Sequence, residues 1–214
     1  MDIYDKSLET LKQIIDAQKE HNFMFVLIGG WAIWIYNPYM KSRDIDLVVS
    51  KEDYRKLKNF LISLGFSETY GGHLGNKGFA MLYDRDKIEI DVYDETVAGF
   101  DAKRVINSAV QKAINAHLVG VASITNLVTM KLKSAIDRMG SAKGEKDLSD
   151  LLAILDKYFK NIEWSVVIET VGKKEITGVM RILFSDIRQS QKFYRMDFGK
   201  FMEMKKYFKK FKFI

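Results

Sequence analysis

Apolar positions recur along this chain with mixed strand and helix spacing in the first half and with almost purely helical spacing in the second. Leu8, Leu11, Ile14 and Ile15 predict an amphipathic helix over 5–20. Phe23 to Ile28 is a short apolar run stopped by Gly29-Gly30, the pattern of a buried strand entering a tight turn. A short helix follows over Trp31–Tyr36, halted near Pro38, and a second buried strand over Ile45–Val49. Ser50, with Asp53 three residues on, forms a capping box for a helix striped by Tyr54, Leu57, Leu61 and Leu64 and ended by Gly65. Residues 66–70 read as a short strand and Gly71-Gly72-His73-Leu74-Gly75 as a loop. Phe79–Tyr83 and Lys87–Tyr93 alternate on either side of Asp84-Arg85-Asp86, which predicts a hairpin with a charged turn. Residues 117–121 predict an edge strand.

After Ser123 the spacing is helical to the end: 124–139, 145–159, 163–171, about 175–195 and 198–212. Strands early and helices late predict an α+β domain over 1–122 followed by a helical domain over 123–214, packed against it. The 214 residues suffice to bury a full core, and no repeat, low-complexity tract or Pro-rich linker interrupts them.

Composition narrows the setting more than the chemistry. With 47% apolar and 29% charged residues the chain reads as an ordinary globular protein. The absence of cysteine excludes disulfides and thiolate metal sites and predicts a reducing, cytoplasmic home. No leader pattern follows Met1, and no apolar run reaches membrane-spanning length. The net charge of +6 is unevenly placed. From Arg188 onward nine Lys or Arg stand against Asp197 and Glu203, a net +7, so residues 1–187 sum to −1. The basic tail makes a polyanionic partner such as RNA worth considering, although a run of lysines by itself also describes a solvated face.

The chemistry centres on Ser42-Arg43-Asp44-Ile45-Asp46-Leu47. On a strand, side chains alternate faces, so Asp44 and Asp46 share one side while Ile45 and Leu47 point to the core. Two adjacent carboxylates repel unless a cation lies between them, and a hard divalent cation such as Mg²⁺ suits oxygen ligands. In Ile88-Glu89-Ile90-Asp91-Val92 the apolar residues share one face, and Glu89 and Asp91 the other. Should that strand lie beside 45–49, Asp91 completes the acidic group. Acid/apolar alternation alone marks only a strand with one wet face. Gly29-Gly30, about fifteen residues upstream of Asp44, adds a turn at a helix N-terminus where phosphate can approach bare backbone.

Strand, Gly-Gly, helix, Ser-x-Asp-x-Asp, strand and a later strand bearing Asp resemble the minimal nucleotidyltransferase fold of the polymerase-β superfamily, over residues 20–95. The resemblance implies that Gly29 and Gly30 shape a triphosphate loop and that Asp44 and Asp46 ligate metal. It further implies that Asp91 is the third carboxylate, which helps activate the acceptor hydroxyl, and that Ser42 is the Ser/Thr found two residues before the first Asp. One departure is Met40, where related sequences carry Arg, with Lys41 and Arg43 nearby.

In the helical half, Lys131 and Arg138 are seven apart on one predicted helix face, and Asp147 and Asp150 share a face of the next. Singly these read as a basic face and as local ion pairs with Lys143 or Lys146. In this order the series is similar to the AbiEii-type nucleotidyltransferases, toxin components of toxin–antitoxin pairs. That similarity implies that Lys131 and Arg138 contact nucleotide phosphates and that Asp147 and Asp150 orient them or assist catalysis. Its further implications are an antitoxin partner, a two-metal Mg²⁺ site and a nucleoside triphosphate as substrate. A module that binds nucleotide or RNA without turnover is the alternative. Phe198, Phe201, Met204, Phe208 and Phe211 read as one core or interface stripe. His21, His73 and His117 lack metal-ligand spacing, and Trp31, Trp34 and Trp164 read as core.

Overall fold

A computed structural model of the chain describes residues 2–69, 79–83, 88–114 and 117–214. The Gly71–Gly75 loop, His73 and the Asp84–Asp86 turn lie outside the described residues. The chain divides into two compact units, Met1–Ser123 and Ile124–Ile214.

The first unit is a mixed sheet flanked by helices. It opens with α1 (Ile3–Glu20), capped by the Asp2 side chain, which accepts from the Asp5 N–H, and buried along Leu11, Ile14 and Ile15. Strand β1 (Phe25–Ile28) is wholly buried, and its chain turns at once into α2 (Gly29–Tyr36). Next come β2 (Ile45–Val49) and α3 (Lys51–Ser63), whose cap is Ser50 accepting from the Asp53 N–H, as the capping box predicts. The helix ends at Gly65, whose φ of +94° a side chain would strain. Strands β3 (Ser67–Thr69), β4 (Phe79–Tyr83) and β5 (Glu89–Tyr93) follow, then a two-stranded ribbon of β6 (Thr96–Val97) and β7 (Phe100–Asp101). Helix α4 (Ala102–Asn107) and strands β8 (Val110–Ile114) and β9 (His117–Val121) complete the unit.

The main sheet runs in the order β3-β4-β5-β2-β1-β9-β8. The β1–β9 and β2–β5 pairs are parallel, and the others are antiparallel. Residues 117–121 are therefore not an edge strand. They lie inside the sheet next to β1, and the edge is β8, which spacing alone did not predict. The reason is physical: an edge strand needs only one covered side, and of Val110–Ile114 only Ile114 is buried. Trp31 is fully buried and donates its indole N–H to the Ser7 hydroxyl at 2.9 Å, while Trp34 is half-buried against it.

The second unit is helical. It comprises α5 (Ile124–Asp137), α6 (Ala142–Tyr158), α7 (Trp164–Val171), α8 (Lys173–Phe184), α9 (Ile187–Phe193) and α10 (Phe198–Lys210). The single helix expected over 175–195 is two, because Asp186 turns its side chain onto the Arg188 N–H and starts a new helix. An aromatic core forms where Trp164 meets Phe208 edge-on at 5.3 Å and Phe184 stacks on Phe201 at 5.8 Å. Phe201, Met204 and Phe208 are buried there as the stripe predicts, whereas Phe198 is 61% exposed. At about 100° per residue Phe198 falls well off the face that Met204 and Phe208 define. No described helix is long and apolar enough to cross a membrane.

Candidate active site

Two adjoining strands and one glycine turn build the candidate site in the first unit. In β2 the residues Ile45, Leu47, Val48 and Val49 are buried and Asp46 is half-buried; in β5 the residues Ile90 and Val92 are buried between the half-buried Glu89, Asp91 and Tyr93. The apolar residues fix which way each strand faces, and that orientation carries the acids to the other side. The parallel β2–β5 register sets Asp46 directly beside Asp91. Paired positions on neighbouring strands lie about 4.8 Å apart, so both carboxylates stand side by side on one face. Asp91 thus meets the condition its sequence position left open.

On the other flank of β2, Ile28 is the register partner of Asp46, and the chain leaves β1 there through Gly29. Gly29 has φ +64°, and a Cβ added to it would overlap the Asp46 carboxylate. Only glycine permits both the left-handed backbone and that approach. Gly30 is pressed in the same way, since a Cβ there would stand 2.6 Å from the Ser42 Oγ. Ser42 itself is buried. The predicted Gly-Gly turn is therefore packed against Ser42 and Asp46, the residues that bracket Asp44. Ile28, immediately before α2, has no side chain able to cap the helix, and none does.

Asp44 sits just before β2, on a bend rather than on the strand. Its Oδ1 accepts from the Arg43 Nε at 2.7 Å, and an Arg43 terminal nitrogen lies 3.9 Å from the Glu89 carboxylate. The hydrogen bond to Asp44, then the charge of Asp44, hold the Arg43 guanidinium above its ordinary pKa. Arg43 is thus a site neighbour whose role spacing did not single out, although its place inside Ser-Arg-Asp-x-Asp was the available signal. Lys41 pairs instead with Asp5 of α1, and Met40 is exposed.

As they stand, no three carboxylate or imidazole groups among the described residues converge into a ready-made metal centre. The donors that lie closest to that description are oxygen donors of the kind Mg²⁺ takes: Asp46 and Asp91 in register, and Asp44 on Arg43. The glycine turn leaves the Asp46 carboxylate no side-chain cover from its own flank.

The second unit brings together Lys131, Arg138, Asp147 and Asp150. Lys131 Nζ lies 3.0 Å from Asp147 Oδ1 and 2.6 Å from Asp150 Oδ2, and Arg138 reaches Asp147 Oδ2 at 2.7 Å. These acids do not pair with Lys143 or Lys146; they turn inward onto α5. Both carboxylates are buried, and Lys131 nearly so. Burial alone pulls the Lys131 ammonium down, but the charges of Asp150 and Asp147 and hydrogen bonds to both outweigh it and hold the group above its ordinary value. Arg138 keeps 42% of its side chain exposed. Gly144, in the first turn of α6, lets the α5–α6 connection turn tightly, because a Cβ there would collide with the Arg138 carbonyl oxygen. His117 pairs with Asp16, and His21 lies against Phe60 at 4.8 Å.

Comparison with known proteins adds a family and a fold. The sequence model of the family described as "uncharacterised nucleotidyltransferase" matches residues 6–185. No curated protein sequence matches the chain significantly. Among solved structures, the chain is similar to ANT(2")-Ia in complex with adenylyl-2"-tobramycin, with a TM-score of 0.60 at 16% identity over 77% of this chain and 94% of that one. It is also similar to the lincomycin-bound lincosamide antibiotic adenylyltransferase LnuA, with a TM-score of 0.50 at 13% identity over 68% of this chain and 94% of that one. An antigenic nucleotidyltransferase-like protein from Paracoccidioides brasiliensis gives 0.50 at 20% identity, over 71% and 76%. At these identities the likeness speaks for the fold: the α+β class expected from the strand and helix order is the one observed.

Proposed function

The chain belongs to the family described as "uncharacterised nucleotidyltransferase", and from that premise we propose that it moves a nucleoside monophosphate from a nucleoside triphosphate to an acceptor hydroxyl on RNA such as tRNA, on protein or on a small molecule, at Asp44, Asp46 and Asp91. The observation that carries this reading is the Asp46–Asp91 register with Gly29 pressed against Asp46. A carboxylate pair beside bare backbone at a helix start suits a triphosphate and its counter-ion.

In the transfer, the acceptor oxygen bonds to the α-phosphorus, the bond from that phosphorus to the pyrophosphate oxygen breaks, and pyrophosphate leaves. Asp91 takes the acceptor proton. Gly29 and Gly30 admit the phosphates, and Ser42 fixes the shape of their turn. Asp44, Asp46 and Asp91 would hold Mg²⁺, which supplies neutralisation of the developing pyrophosphate charge and a lowered pKa for the attacking hydroxyl. Asp44 joins that set by giving up Arg43, whose second carboxylate neighbour is Glu89. Arg138 and Lys131 contact nucleotide phosphates, with Asp147 and Asp150 orienting them.

Incubation with α-labelled nucleoside triphosphates, Mg²⁺ and candidate acceptors, namely cellular RNA, protein and small hydroxylated molecules, tests the reading. Label transfer by the wild type and none by the Asp44→Ala/Asp46→Ala double variant is expected. Equal transfer by both rejects the site, and Mg²⁺-dependent nucleotide binding without transfer by either favours the non-catalytic module. The AbiEii-like order of Lys131, Arg138, Asp147 and Asp150 supports a toxin role with an antitoxin partner. Growth arrest on expression that the double variant abolishes would support it, and unaffected growth would count against it.

A further inference from the structure

We propose that the outward face of α10 is a docking surface for single-stranded RNA. In supplying the acceptor this inference rests on the transfer reading, but binding itself does not depend on it. Phe201, Met204 and Phe208 are spent on the core of the second unit, packed with Trp164 and Phe184. The apolar face of α10 is therefore unavailable to a bilayer, which an amphipathic membrane-surface helix would need.

The outward face carries Phe198, Met202, Lys206, Lys209 and Lys210. Phe198 is 61% exposed and Met202 is 47% exposed, and all three lysines are exposed. Its one acid, Glu203, is already held by Lys160 at 2.6 Å and Lys200 at 3.3 Å, and hydrogen bonds from Lys160 and then Lys200 lower its pKa. Lys205 is also committed, donating to the Ser185 carbonyl at the end of α8. Lys206, Lys209 and Lys210 have no carboxylate partner among the described residues. The exposed Arg188, Lys192, Arg195 and Lys212 of the same tail have none there either.

Unscreened cations alone would suit any polyanion. The exposed ring of Phe198 at the head of the same face favours RNA, because every base offers a π-face to stack on while its phosphates meet the lysines. An acidic protein surface has less use for an open aromatic ring on the same face as the lysines. From Phe198 to Lys210 the helix rises about 18 Å, roughly the length of five nucleotides at about 3.4 Å each.

Fluorescence anisotropy with a labelled mixed-sequence single-stranded RNA, the full chain and no nucleotide tests this. Four lysine–phosphate contacts, from Lys206, Lys209, Lys210 and the neighbouring Lys212, would give an affinity loss of about 50-fold between 50 and 200 mM salt, at a slope of roughly −0.7 per contact. Lys206→Gln/Lys209→Gln/Lys210→Gln is expected to weaken binding at least about tenfold at the lower salt and to flatten the dependence to about threefold. Phe198→Ala is expected to weaken binding without changing the salt slope. A control variant, Lys157→Gln/Lys173→Gln/Lys174→Gln, removes the same charge elsewhere on the unit and should leave binding intact. Equal loss in control and α10 variants, or unchanged binding in the α10 variant, overturns the proposal. So does capture by anionic phospholipid vesicles with no RNA binding. Because the readout needs no turnover, RNA binding that persists in the Asp44→Ala/Asp46→Ala variant, together with absent transfer by the wild type, would reject the chemistry and leave the surface standing.

Discussion

Asp46/Asp91 and Asp147/Asp150 are both carboxylate pairs, and the two units of the molecule treat them in opposite ways. In the helical unit the pair is buried, and the nearly buried Lys131 and the partly exposed Arg138 answer it at 2.6–3.0 Å, so two negative charges meet two positive ones. In the sheet unit the pair is half-buried and set side by side by strand register, and a glycine backbone closes on one of its members. Acids answered by cations of their own unit hold those cations in place. Acids aligned next to bare backbone are placed for something that arrives.

That contrast is open to attack at several points. The largest effect expected is on turnover: Asp46→Asn or Asp91→Asn should lower label transfer by about a thousandfold or more, since charge stabilisation of this kind is worth several kcal/mol. The same variants should stay folded with an unfolding temperature near the wild type's, because Asn keeps the shape and one acceptor oxygen of Asp. Asp150→Ala should behave in the opposite sense. Breaking a buried ion pair by removing one partner costs about 3–5 kcal/mol, to be read as a lower denaturant midpoint. A stable Asp150→Ala protein, or an unstable Asp46→Asn one, would collapse the distinction.

Gly29→Ala should fall between the two classes. Its left-handed backbone conformation costs about 1–2 kcal/mol for a non-glycine residue, and the new Cβ must displace the Asp46 carboxylate. We expect a folded protein with transfer reduced by about a hundredfold, as for other ångström-scale misplacements. The smallest effect concerns pH. Lys131 is held above its ordinary 10.5, so the stability it contributes is complete below about pH 10.5 and is lost as pH rises through its folded value. The stability gap between wild type and Lys131→Met should accordingly hold through neutral pH and narrow above pH 10.5. A gap that already narrows between about pH 7 and pH 10 would mean the pair is not held as described.

Much of this was legible in the sequence because it rests on short-range rules. Period-2 alternation placed Glu89 and Asp91 opposite Ile90, the capping box placed Ser50, and Gly29-Gly30 marked the turn. What pattern could not supply were the pairings. That β5 lies beside β2 depends on a crossover between strands about 40 residues apart. The position of β9 inside the sheet depends on β8, a strand with too little buried surface to announce itself. Likewise the spacing of Asp147 and Asp150 showed a shared face, but not that Lys131 of α5 and Arg138 just beyond it, brought round by the tight turn at Gly144, would supply their cations. Phe198 misled for a different reason: a run of spacings 3, 3, 4 and 3 looks like a stripe, yet two successive steps of three fall about 120° short of two full turns, so Phe198 lies off the face that Met204 and Phe208 keep in the core.

The central claim is that Asp46 and Asp91 act as one seat, and a double-mutant cycle on label transfer measures it most directly. Transfer rates would be compared for wild type, Asp46→Asn, Asp91→Asn and the double variant, each shown to be folded. If the two carboxylates work as a unit, the double variant should lose about as much as the worse single one, as interdependent catalytic groups do. Wild-type rates in either single variant, or losses that simply multiply in the double, would contradict the account.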